Sequence, residues 1–284
     1  MKHYFKRTVV VLNNLEKIDN LLKKAIAFSS QHQTTLEILY VQEKSLFEMP
    51  DYFLSEDKMA KGQIDKEKIK AKIQEHLNRL DEVETHAILV YIDDTVDRAM
   101  QHAKGDKETL LLTHYHPKIT EQLLEKTPYS LFVIKNETEN YSDIILPIDL
   151  RKKSREALTV AKEIFPKKAI TLIHDYRYLL DMLTIQVDYF NLAPIVTPDL
   201  IDLNQKIKND QRESFNTYKK EFNLEGIFLE DDGGSLDNTL IDYISSNNFD
   251  LTLLYHQDTE LFLSPSLIEE LMKKLSTDFF ILNL

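Results

Sequence analysis

Two stretches of this sequence recur at long range. Glu108–His114, ETLLLTH, is matched by Asp250–His256, DLTLLYH, at a constant offset of 142 (residues 114 to 256), and Ile119–Ile134 is matched by Leu267–Leu282 at an offset of 148 (residues 134 to 282). On this alignment the second copy carries 6 extra residues between the two matched stretches (offset 148 against 142). Order and register hold over both elements, which duplication explains better than chance.

Within each copy, short β-branched and aliphatic runs alternate with longer segments of helical period, an order that predicts a parallel sheet with crossover helices. In the first half, strands are expected at Thr8–Leu12, Thr35–Val41, His86–Ile92, Thr109–Thr113 and Ser130–Lys135. Leu15, Ile18, Leu22, Ala25 and Ile26 recur at helical spacing, with Lys17, Lys23 and Lys24 assigned to the other face. A charged helix is expected from about Ile64 to Leu80. The polar stretch Asn136–Ser142 reads as a linker, after which strands recur at Asp143–Ile148, Ala169–His174, Gly226–Glu230, Leu251–Tyr255 and Phe279–Leu282. Thr197-Pro198-Asp199 reads as a helix start, with proline at the first helical position, and that helix is expected to end near Glu221. The domains are therefore set at 1–138 and 139–284.

Composition narrows the functions open to such a chain. A length of 284 residues suffices for two cores, and 35 basic against 47 acidic side chains leave a formal charge of -12, which disfavours nucleic acid and anionic membranes as partners. No apolar run approaches the roughly 20 residues of a membrane span, and the opening apolar stretch is too short for a signal peptide, so a cytoplasmic location is expected. With no cysteine, thiolate metal sites and cysteine nucleophiles are excluded. Only 5 glycines occur, and neither GxGxxG nor GxxxxGK[ST] is present, so a phosphate-cradling backbone is not expected.

At Ile144–Leu158, IILPIDLRKKSREAL, the chain resembles the opening of the universal stress protein family, in which a strand ending Pro-x-Asp precedes a serine and a helix carrying Ala-Leu; Pro147, Asp149, Ser154, Ala157 and Leu158 take those places. The family's closing helix and strand are similar to Ile119–Ile134 and to Ser266–Leu282. The resemblance implies two tandem doubly wound parallel five-stranded sheets, Rossmann-like and of the adenine nucleotide alpha hydrolase type, with helices on both faces. Nucleotide-binding members follow the fourth strand with Gly-x-x-Gly, about nine residues, then Gly-Ser or Gly-Thr. Both copies depart from that pattern: residues 113–118 and 255–266 contain no glycine, and Pro117 and Pro265 stand at the last glycine's place, where proline offers no amide. The family's nucleotide-contacting aspartate is Asn13 in copy one and Asp149 in copy two.

Asp149, His256 and Ser266 are thus the candidate ligand contacts, all in copy two. Each has a plainer reading: Asp149 as a strand-end acid capping the next helix, Ser266 as a helix cap, and His256, matched across the repeats with His114, as a polar strand end. His116 makes an HxH with His114, but no recurring carboxylate orients it toward metal binding, and Glu230–Gly234 lacks the ligand spacing of a calcium loop and reads as a strand-to-helix turn. No catalytic residue, metal or cofactor is expected. The functional expectation is a non-enzymatic stress-response binding module of unknown protein partner, its copies paired through their last strands as an intramolecular pseudo-dimer, with further homodimerisation open. The alternative is a nucleotide-binding stress protein, with slow ATP hydrolysis, using the second domain alone.

Overall fold

The computed structural model describes residues 4–43, 65–80, 86–138, 140–177, 198–230, 236–257, 260–261, 263 and 265–284. The chain divides into two compact units, Met1–Glu139 and Asn140–Leu284.

In the first unit the order is β1 (Arg7–Leu12), α1 (Ile18–His32), β2 (Thr35–Glu43), α2 (Lys66–Arg79), β3 (His86–Asp93), α3 (Thr95–Ala103), β4 (Thr109–His114), α4 (Pro117–Lys126) and β5 (Ser130–Ile134). All pairings are parallel. β1 lies between β2 and β4, β3 lies beyond β2, and β5 beyond β4. Strand order therefore reverses between β1 and β4, the switch point at which open α/β sheets present a ligand crevice. The strands are aliphatic on both faces because helices cover both: Val9, Val10, Leu39, Leu111 and Leu112 are buried, as are Leu21, Leu22 and Ala25 of α1. Each such Leu or Val contributes roughly 1.5–3 kcal/mol. α2 and α3 begin where the side chains of Asp65 and Asp94 accept from the amides of Lys68 (3.0 Å) and Asp97 (2.9 Å).

The second unit repeats this order: β6 (Asp143–Pro147), α5 (Lys152–Ile164), β7 (Ala169–Asp175), α6 (Pro198–Phe222), β8 (Glu225–Leu229), α7 (Leu236–Ser246), β9 (Leu251–Gln257), β10 (Glu260–Leu261), α8 (Pro265–Lys274) and β11 (Asp278–Leu282). β6 lies between β7 and β9, β8 beyond β7, and β11 beyond β9, all parallel. β10 has no counterpart among the expected elements; it folds back antiparallel on the end of β9, Leu261 opposite His256. Pro198 does open α6. Thr197 and residues 231–234 of the proposed turn lie outside the described residues. At Gly226, on β8, an added Cβ would stand 2.7 Å from the Phe215 ring of α6 and 3.1 Å from Leu172 of β7. That glycine serves close packing, and no phosphate.

Two expectations need correction. Lys24 is buried rather than on the polar face of α1: its ammonium donates to the backbone carbonyl (2.8 Å) and side-chain oxygen (3.1 Å) of Asn136. The supposed linker is consequently held at its start, and within the second unit Tyr141 donates to the buried Asp278 carboxylate at 2.5 Å. The second correction is one of register. His114 pairs with Ile134, and Tyr255 pairs with Leu282. Because Ile134 and Leu282 are equivalent, the residue in His114's place is Tyr255 and not His256. Ladder partners of the first strands agree, Thr8 with Leu110 and Ile144 with Leu251. A strand buried on both faces carries no polar alternation to set its register, so the sequence match slipped by one residue.

Candidate functional site

The crevice of the second unit lies beyond the carboxyl ends of β6 and β9, and the residues that meet there are Asp149, from the turn after β6, and Tyr255 of β9. Asp149 is only 2% exposed. Its Oδ1 accepts from Ser154 Oγ at 2.5 Å, from the Arg151 amide at 3.0 Å and from the Tyr255 hydroxyl at 3.1 Å, and its Oδ2 accepts from Arg151 Nε at 2.5 Å. The Tyr255 and Ser154 oxygens are 2.8 Å apart. Each hydroxyl has one proton: that of Ser154 goes to Asp149, and that of Tyr255 is shared between Ser154 and Asp149. Burial, then the Asp149 charge, pushes the Tyr255 phenol well above its usual value, so it remains a donor. Three of these donors converge on Oδ1 and one reaches Oδ2, all of them supplied by the protein itself.

The turn that carries Asp149 is unusual. Leu150 adopts φ +64, a left-handed conformation that costs a non-glycine residue roughly 1–2 kcal/mol. The Asp149–Arg151 turn and the Tyr218 hydroxyl of α6, which donates to the carbonyls of Leu150 (3.1 Å) and Arg151 (2.9 Å), hold it in place. Arg155 covers the Tyr218 ring at 4.6 Å.

β7 ends in the same way. Asp175, fully buried, accepts from the Arg177 amide at 2.9 Å and from its guanidinium at 2.9 Å (Nε) and 2.5 Å (Nη2), so Asp149-Leu150-Arg151 and Asp175-Tyr176-Arg177 are matching Asp-x-Arg clamps on adjacent strands. Between them His174 is buried; its Nδ1 donates to the Ile148 carbonyl at 2.6 Å, and its Nε2 is 2.8 Å from the Gln211 carboxamide of α6. Burial lowers the His174 pKa below its ordinary value, against the hydrogen bonds and the Asp175 and Asp149 charges that would raise it. The clamps were legible as two D-x-R triplets at strand ends, a signal the sequence reading passed over.

Of the three candidate contacts, then, only Asp149 is fixed in detail. His256 lies in β9 and Ser266 in the first turn of α8, one residue inside that helix rather than at its cap; their side chains lie outside the described residues. In the first unit the equivalent of Asp149, Asn13, is half-buried and accepts from Asn14 at 3.3 Å, and His114 donates to the Lys17 carbonyl at 3.0 Å. His114 thus ties down the loop after β1 as Tyr255 ties down the loop after β6. His116 is exposed beside Pro117, its amide donating to Thr120 Oγ at 3.0 Å. Among the described residues no group of three His, Asp or Glu side chains is arranged to hold a metal ion, and no helix is long and apolar enough to cross a membrane.

No protein-family model matches this sequence, and no curated protein matches it. Solved structures do. A Pseudomonas aeruginosa UCBPP-PA14 protein assigned to the universal stress proteins superposes with a TM-score of 0.65 over 99% of this chain and 95% of its own, at 14% identity. A universal stress protein from Archaeoglobus fulgidus DSM 4304 gives 0.60 over 98% and 97%, at 11% identity. A functionally unknown protein from Pseudomonas aeruginosa PAO1 gives 0.62 over 99% and 93%, at 14% identity. At such identities the agreement is one of fold, and it extends over nearly the whole chain.

Proposed function

We propose that this chain, whose fold is that of the universal stress proteins, is a stress-response binding module that acts through protein contacts and neither binds ATP nor catalyses a reaction. The observation that carries the reading is the state of Asp149: the one family aspartate retained is buried, and both of its oxygens are engaged by Ser154, Tyr255 and Arg151 of the protein itself. A nucleotide hydroxyl could reach it only by opening this buried cluster, in which each bond to the charged group is worth roughly 1.5–3 kcal/mol. The glycine-free stretches after β4 and β9 support the same reading from the phosphate side. Fold alone decides neither activity nor partner. A cytoplasmic location and the pairing of the two copies as a pseudo-dimer belong to the proposal too, and rest on the sequence and the family resemblance.

Calorimetric titration of the full chain with ATP and magnesium tests it. Heats at micromolar concentrations are expected to be those of dilution, for the wild type and for Tyr255→Phe alike. Saturable binding would reject the reading in favour of the nucleotide-binding alternative.

A further inference from the structure

The outermost strand of the first unit is poorly protected. β3 (HAILVYID) pairs with β2 on one side, and among the described residues no strand pairs with its other side. Edge strands are commonly shortened, charged, or broken by proline or a bulge, because their open amides and carbonyls accept another chain. β3 runs for 8 residues, its register against β2 is unbroken, and Ala87–Ile92 is a continuous apolar run. By contrast β8, the outer strand of the second unit, has 5 residues and opens on the exposed Glu225.

Side chains alternate along a strand, so Ile88, Val90 and Ile92 share one face. Ile88 lines an open groove of about 360 Å³ with Glu67, Lys70, Ala71 and Gln74 of α2. Val90 is buried, whereas Ile92 is 40% exposed, the one large apolar side chain exposed among the described residues. A groove and an exposed apolar side chain thus stand on the same face of an open strand, two residues either side of Val90. A two-fold axis through Val90, perpendicular to the sheet, brings them together. Opposite residues of an antiparallel pair share a face, so Ile92 of each molecule falls opposite Ile88 of the other, at the mouth of its groove. On the other face Leu89 falls opposite Tyr91, whose ring lies 4.4 Å from the Arg98 guanidinium. A slip of two residues would set Ile92 against His86 or Val90 and leave the groove unfilled. Glu67 and Lys70 are paired at 3.1 Å, so the groove itself presents no net charge to repel a second copy of an acidic chain.

We propose that β3 is a self-recognition edge, through which two molecules of this chain join by antiparallel pairing centred on Val90, with Ile92 of each seated in the α2–β3 groove of the other. This association is separate from the pairing proposed for the two halves of the repeat, which uses the last strands β5 and β11.

Sedimentation equilibrium of the full chain across the micromolar range tests it, and a reversible monomer–dimer equilibrium is expected. Ile92→Lys replaces both symmetry-related isoleucines with a charge and should weaken the dimer at least tenfold. Glu225→Gln changes the net charge equally, at the other outer strand, and should leave the dimer as it is. Cross-linking reads the register, since the chain has no cysteine of its own. Directly opposite residues have Cα atoms about 4.5–5.5 Å apart, within disulfide reach, whereas the two Ile92 positions would be about 14 Å apart along the strands. Ile88→Cys and Ile92→Cys should therefore join when mixed under mild oxidation, and neither should join to itself. That pattern decides the matter even if Ile92→Lys fails to fold. A wild type that stays monomeric, a dimer indifferent to Ile92→Lys or equally weakened by Glu225→Gln, or Ile92→Cys joining itself as readily as it joins Ile88→Cys would each overturn the proposal.

Discussion

Replacing Tyr255 with phenylalanine deletes a single hydroxyl from the sealed end of the second unit and leaves the ring's packing in place. That hydroxyl is 2.8 Å from Ser154 Oγ and 3.1 Å from Asp149 Oδ1, and the Asp149 amide faces it at 3.3 Å. A bond to a charged acceptor contributes roughly 1.5–3 kcal/mol, and Asp149 keeps its other donors, so the expected loss is about 2 kcal/mol, some thirtyfold in the unfolding equilibrium. Ser154→Ala should cost a similar amount. The two hydroxyls share one proton path to the carboxylate, so the double variant should lose about 1 kcal/mol less than the sum. Denaturant unfolding followed by far-UV circular dichroism is the suitable assay, since the chain contains no tryptophan. With two units in one chain, the transition affected must be identified before a free energy is assigned. A Tyr255→Phe effect below about 0.5 kcal/mol, or strict additivity with Ser154→Ala, would refute the claim that Asp149 is held from within by these coupled donors.

Gly226→Ala should destabilise the second unit by about 1–3 kcal/mol through overpacking against Phe215 and Leu172, read as a lower denaturation midpoint; an unchanged midpoint would mean that β8 and α6 part without cost. Arg177→Ala removes the guanidinium from the fully buried Asp175 and should cost about 3 kcal/mol at neutral pH, read from denaturant unfolding curves; an unchanged midpoint would mean that the clamp contributes nothing. Chains cut after Glu139 should give halves that associate in light scattering, as the proposed pairing of the copies requires; two stable monomers would remove the pseudo-dimer from the proposal.

The sequence by itself determined the ten parallel strands and their alternation with helices, because both rest on local hydrophobic period. The missing glycines were legible for the same reason, since a residue's absence is visible without any fold. What lies between elements was decided only in three dimensions. The register of β9 against its neighbours could not be read from a strand apolar on both faces, so Tyr255 was overlooked beside His256. Lys24 looked like a solvent-facing lysine until Asn136, far along the chain, supplied its acceptors. Asp149 was found as a candidate from its position after the first strand of its copy, but whether a carboxylate there is offered to a ligand or spent on the protein depends on Ser154, Arg151 and, more than a hundred residues away, the hydroxyl of Tyr255. The hydrogen-bond partners of a buried carboxylate are a property of assembled neighbours, and no local pattern encodes them.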